Sequence, residues 1–165
     1  MSTFAKNDNI QIILTETQDI PFVIAAENKT ENAQYIGQWS AEQHTNALND
    51  PDMRHLLIQD IPGNRVGYII IRGLTNPNKS IELMRIVITS KGLGHGKSAL
   101  SLIKKWCFEE HKAHRLWLDV QEDNPKAQHI YKAQGFQHEG ILRECVRAGE
   151  SYKSLLIMSI LAAGV

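Results

Sequence analysis

The hydrophobic period along this chain switches between two and 3.6, and the switches mark out its elements. A β-branched run at 10–15 predicts a first strand. Asp19 then stands where a helix N-cap belongs, with Pro21 in the first turn, and that helix should reach about Asn28. Residues 30–39 fit neither period. Ser40 and Gln43 have capping-box spacing, which opens a short helix ending near Asn49-Asp50-Pro51. Strands are expected at 54–59, 66–72 and 81–88, with turns at Gly63-Asn64 and Asn76-Pro77-Asn78.

The second half alternates helix and strand before it closes on a hairpin. From Ser98 to about Glu110, apolar residues at 99, 100, 103, 106 and 107 make one buried helical face. An apolar run at 116–120 predicts a central strand. Asn124 as N-cap and Pro125 at the first helical position start the next helix, which Gly135 ends. Strands at 137–147 and 152–161 follow, joined at Ala148-Gly149. With 165 residues, no repeat and no linker-like tract, one domain is expected.

Composition narrows the partners. Lys+Arg and Asp+Glu are equal at 18 each, so no global field attracts nucleic acid or an anionic membrane. The N-terminus around Lys6, Asn7, Asp8 and Asn9 is polar and has no signal-peptide core. The apolar stretches 155–158 and 160–163 are too short to span a bilayer. A cytoplasmic protein is expected. Cys107 and Cys145 supply neither a disulfide framework nor a zinc site. His111 and His114 have no third ligand nearby in sequence, so no metal is expected.

Candidate chemistry begins at Lys91-Gly92-Leu93-Gly94-His95-Gly96-Lys97, between the strand at 81–88 and a helix expected to begin near Ser98. A glycine turn feeding a helix N-terminus offers free backbone N–H groups and a favourable dipole to a phosphate. A nucleotide P-loop would need glycine where Lys91 stands. A dinucleotide fingerprint would need glycine at Lys97 or Ala99. The spacing that fits is a basic residue or Gln, two residues, then Gly-x-Gly, carried by Lys91, Gly94 and Gly96. A second motif follows: Asn124, Ala127, Tyr131, Gly135 and Phe136.

In this order and separation the two motifs resemble the GNAT superfamily of acyl-CoA-dependent N-acetyltransferases, from about Ile10 to Leu161. The tail Glu139-Gly140-Ile141-Leu142-Arg143-Glu144, with Gly149 and Tyr152, is similar to the branch holding the ribosomal-protein alanine acetyltransferases. The resemblance implies an α/β (α+β) fold: a mixed, twisted, mostly antiparallel sheet with a central, splayed parallel pair, flanked by helices. It implies acetyl-CoA as cosubstrate and is compatible with a homodimer. The pantetheine arm should bond the main chain of Ile86, Val87 and Ile88. Lys91, Gly92, Leu93, Gly94, His95, Gly96, Lys97 and Ser98 should hold the diphosphate, with Asn124, Ala127 and Tyr131 as further cofactor contacts.

Acetyl transfer to an amine needs a base, because an alkyl amine (pKa about 10) is protonated at neutral pH. It also needs an oxyanion donor and an acid for the leaving thiolate. The resemblance places Tyr131 as the acid and Glu82 as the base, with Asp119 and Glu122 as alternatives and the N–H of Val87 or Ile88 as oxyanion donor. The acceptor, a small-molecule or peptide amine, should meet residues 28–40, including Glu31, Tyr35 and Trp39, and the hairpin at Tyr152. Direct attack in a ternary complex is expected, since nothing beside Cys107 activates it as a nucleophile. The rival readings are a non-catalytic acyl-CoA-binding sensor or scaffold and a nucleotide enzyme using the same loop.

Overall fold

The computed structural model describes residues 3–29, 33–35 and 37–164. Eight strands form one sheet: β1 (Thr3–Lys6), β2 (Ile10–Leu14), β3 (Met53–Asp60), β4 (Arg65–Arg72), β5 (Ser80–Ile88), β6 (Arg115–Gln121), β7 (Gln137–Ala148) and β8 (Ser151–Leu161). Their spatial order is β1-β2-β3-β4-β5-β6-β8-β7. Neighbouring strands are antiparallel, except that β5 and β6 run parallel. Among the described residues, four α-helices flank the sheet: α1 (Ile20–Glu27), α2 (Ala41–Leu48), α3 (His95–Lys105) and α4 (Pro125–Ala133). The mixed sheet with a parallel centre is the expected architecture.

Strand β1 was not expected, because its apolar content is Phe4 and Ala5 between polar neighbours. Tertiary packing makes it a strand. Phe4 lies 4.4 Å from Trp106, centroid to centroid, and β1 pairs with β2. The helix after the glycine loop starts at His95, three residues before the expected Ser98. Gly94 has φ 78°, ψ 7°, a left-handed conformation that turns the chain straight into the helix. That helix gives way to a π turn at Trp106–Glu110. Asp19 precedes α1 but makes no side-chain cap; its carboxylate accepts from the Glu16 N–H and the Arg65 guanidinium.

The two faces of the sheet are packed differently. Under α3 and α4 lies an apolar cluster that includes Ile12, Leu56, Ile69 and Ile81 from the strands and Leu100 and Ile103 from α3. On the opposite face Val23 and Ala26 of α1 meet Tyr68, Ile70 and Val87, with Phe22, Trp39, Met53 and Met84 at the margin. Among them are buried polar residues, including Glu27, His44, His55 and Arg85.

Candidate active site

Strands β5 and β6 pair over three positions, Ser80 with Arg115, Ile81 with Leu116 and Glu82 with Trp117. Beyond Glu82 they part. The outer side of β5 stays paired with β4 out to Ile88, and that of β6 with β8 out to Gln121. A V opens between them, walled by two strand edges whose main-chain groups are available to a guest running as an extra strand. The β4–β5 register slips between Arg85 and Leu83, which leaves Met84 as the extra residue of a bulge at the floor of the V.

At the open end of the V, β5 runs into the glycine loop. Gly92 and Gly94 both have positive φ, 81° and 78°. No side chain caps α3, and its first intrahelical bond is from the Ser98 N–H to the Gly94 carbonyl, 3.1 Å. The N–H groups of His95, Gly96 and Lys97 precede that bond, as a diphosphate requires. Lys91, Gly92, Leu93 and Gly94 are exposed, as is Lys97, while Gly96 and Ser98 are half-buried. The His95 ring is buried, and its Nδ1 has no hydrogen-bond partner among the described residues. These features fit a CoA diphosphate.

Two carboxylates and a phenol converge on the V. Glu82, buried at the last paired position, accepts from Arg72 Nε at 2.6 Å. Asp119 lies two residues past the parting point on β6; partial desolvation and then the Glu82 charge raise its carboxyl above the usual range, against the opposing Arg72 charge. Asp119 is open to solvent along the groove, yet protein surrounds its carboxyl closely enough for desolvation to lead. Tyr131 stands on α4, half-buried and edge-to-face on Phe136 at 5.8 Å. Burial and then the Asp119 charge push its hydroxyl up to about 12, so it stays protonated at neutral pH.

Asn124 caps α4, its Oδ1 accepting the Ala127 N–H at 3.3 Å, and both residues lie just past the C-terminal end of β6. Glu122 and Tyr152, far apart in sequence, line one shallow cavity of about 320 Å³ with Asp123, Glu144, Lys153 and Ser154. Ile86 and Ile88 are half-buried and Val87 is buried. Burial raises the Cys107 thiol to about 12, so it is an inert core residue. Tyr35 and Trp39 are half-buried, and Glu31 lies outside the described residues.

Sequence reasoning missed the partner of Glu82, Arg72, and the buried polar group on the α1 face. The available signal was charge inside apolar runs: Glu27 after Ile24-Ala25-Ala26, His55 before Leu56-Leu57-Ile58, and Arg85 between Met84 and Ile86.

A splayed parallel pair, a positive-φ glycine turn and an uncapped helix N-terminus are the parts with which an acyl-CoA-dependent transferase can take a thioester against a sheet and a diphosphate on a helix. The sequence profile of the Acetyltransferase (GNAT) family matches residues 20–136, and the chain belongs to that family. Its activity is acetyl transfer from acetyl-CoA to an amine. A curated relative, the spermidine N(1)-acetyltransferase of Vibrio cholerae serotype O1, is 23% identical over 166 residues, covering 94% of each chain. The crystal structure of the Vibrio cholerae spermidine N-acetyltransferase with CoA and spermine superposes with a TM-score of 0.86 at 23% identity, over 96% of this chain and 98% of that one. A structure of the Vibrio cholerae spermidine/spermine N-acetyltransferase with manganese ions gives a TM-score of 0.80 at 22% identity, covering 94% of each chain. Among the described residues no helix is long and apolar enough to cross a membrane.

Proposed function

We propose that this enzyme acetylates a terminal primary amine of a small polyamine, by direct attack within a ternary complex. The observation that carries the reading is the V itself. It opens beyond Glu82, with Asp119 and Tyr131 at its sides and the bare N-terminus of α3 at its mouth. The polyamine class rests on the name of the curated relative and on acidic side chains, Glu82 and Asp119 in the V and Glu122, Asp123 and Glu144 beside it.

In this reading the diphosphate accepts from the N–H groups of His95, Gly96 and Lys97, with Lys91, Gly92, Leu93, Gly94 and Ser98 shaping the cradle. The pantetheine arm lies along Ile86, Val87 and Ile88, near Asn124 and Ala127. The amine loses its proton to Asp119, directly or through water, and its lone pair attacks the thioester carbonyl. The carbon–sulfur bond breaks, the thiolate takes the Tyr131 proton, and the surplus proton of the acylated nitrogen passes through water to restore the phenol. Asp119 is preferred to Glu82 as base because Glu82 is committed to Arg72, whereas the Asp119 carboxyl is raised toward the working pH. Desolvation leads in raising it, and the Glu82 charge adds to that.

The test is thiol release from acetyl-CoA over a panel of spermidine, spermine, an N-terminal peptide and an aminoglycoside. Turnover with the polyamines alone supports the reading. Turnover with the peptide alone replaces the acceptor class. Acetyl-CoA binding without turnover on any amine favours a non-catalytic acyl-CoA-binding module.

A further inference from the structure

Glu27 at the end of α1 is fully buried, and its carboxylate is saturated with donors. Oε1 accepts from His44 Nε2 at 2.9 Å and from the Trp39 N–H at 3.2 Å. Oε2 accepts from the Tyr68 hydroxyl at 2.8 Å and from Arg85 at 2.9 Å. These donors come from α2, from the segment before it, from β4 and from β5. Behind His44 the chain of bonds continues, His44 Nδ1 to His55 Nε2 at 3.0 Å and His55 Nδ1 to Thr15 Oγ1 at 2.9 Å.

Donor–acceptor logic orders this chain. An ionised carboxylate only accepts, so His44 presents its Nε2–H to it. Behind it, the His44 Nδ1–His55 Nε2 and His55 Nδ1–Thr15 Oγ1 contacts each pair one donor with one acceptor, so the orientation of one ring fixes that of the next. Burial is the main reason that His55 stays neutral, its pKa falling to about 3.

A buried ion pair is a poor device for stability alone, since apolar residues of similar volume usually do as well. Its position suggests another use. Arg85 is the residue next to the Met84 bulge on the strand that walls the V. Its guanidinium lies 5.0 Å from the centroid of the Trp39 ring, and a Cβ at Gly37 would be 3.2 Å from its other terminal nitrogen. Trp39 and Met84 each pack against the apolar cluster that includes Val87. One carboxylate thus ties the residues at 37–39 to the cofactor strand at the floor of the V, on the face away from α3 and α4.

We infer that Glu27 is a positioning residue for the amine acceptor: it clamps the 37–39 wall, through the Trp39 N–H and Arg85, onto β5. The inference rests on the acetyltransferase reading above for its acceptor, and on geometry alone for the clamp. Glu27→Gln keeps the shape but turns one oxygen into a donor, so two of the four donors lose their acceptor. The amine KM should rise about tenfold or more while the acetyl-CoA KM stays within about twofold. In parallel, hydrogen exchange at the Trp39 amide should quicken by about tenfold, with the β5 amides unchanged.

An unchanged amine KM in a folded variant overturns the inference, as does an equal rise in both KM values, which a merely structural role would give. If Glu27→Gln fails to fold, Arg85→Lys decides. It keeps the ion pair but removes the planar group under Trp39, and an unchanged amine KM there overturns the inference. Wild-type protein that releases no thiol with any amine defeats the acetyltransferase reading and the acceptor role together, and the exchange measurement then still accepts or rejects the clamp.

Discussion

The two faces of the sheet solve different problems. Under α3 and α4 the contact is dry and apolar, and the ligand-facing parts beside it are backbone: the β5 edge, the glycine loop and the first N–H groups of α3. Under α1 and α2 the contact is threaded by a buried carboxylate, two histidines and an arginine. A cofactor held by main chain tolerates many side chains, provided that the glycines and the splay remain. A wall held by side chains depends on each of them. The first face rests on backbone geometry, and the second on the match of particular side chains.

The largest expected effect is on that second face and comes from pH. The folded pKa of His55, about 3, lies below its ordinary value of 6.5. Between those values the unfolded chain binds a proton that the folded one refuses. This contribution is therefore complete above pH 6.5 and lost progressively as pH falls toward 3, on the order of 5 kcal/mol in all. Glu27 acts in the same direction. Burial would raise its carboxyl, but hydrogen bonds from His44 and Tyr68 more than reverse this, so its contribution is lost below about 4.5. Urea midpoints between pH 7 and 4.5 should fall steeply, and a flat profile would mean that the buried His55 does not stay neutral.

Next in size is removal of one partner. Glu27→Leu leaves Arg85 buried and unpaired and should cost about 3–5 kcal/mol by urea unfolding. Adding Arg85→Met should restore much of that stability without restoring the low amine KM. Recovery of both would erase the functional distinction between the faces.

How far this was legible in sequence follows the same division. Period and capping residues located β2 to β8 and the four helices among the described residues, and the glycines at 92–96 marked the turn into α3 because backbone geometry demands glycine at Gly94. The start of α3 was misplaced, since a glycine-rich first turn carries no helical period. Strand β1 was invisible because its partner, not its own pattern, makes it a strand. Arg72, which holds Glu82, and the group around Glu27 arise from side chains meeting across elements, such as His44 and His55 or Glu27 and Arg85. Spacing along a chain does not encode such meetings.

Kinetic changes at the V should be smaller in free energy but sharper in meaning. Tyr131→Phe should lower kcat by roughly 10²-fold with the acetyl-CoA KM within about twofold, as expected for a proton given only late in the reaction. An unchanged kcat removes Tyr131 from the mechanism. The two carboxylates separate by pH profile. If Asp119 is the base, Asp119→Asn abolishes the acid limb of kcat/KM. Glu82→Gln moves that limb to lower pH instead, because the Glu82 charge raises Asp119. Loss of the limb in Glu82→Gln would return the base to Glu82.

The smallest effect probes the proposed cofactor side, where main chain would do the holding. Gly96 does not need a positive φ, and a Cβ there would meet Ile88 Cγ1 at 3.6 Å, an ordinary contact. Gly96→Val should therefore leave the stability of the free protein within about 0.5 kcal/mol, as for a surface substitution near a helix start. Its branches would crowd the N–H groups proposed to hold the diphosphate, so acetyl-CoA affinity should drop by about tenfold or more, near 1.4 kcal/mol. Gly94→Val, at φ 78°, should lose affinity and also roughly 1–2 kcal/mol of stability. Titration of acetyl-CoA against each variant, beside its unfolding midpoint, reads both quantities. Equal stability losses at the two positions would mean that Gly96 is held by the fold and not by the ligand.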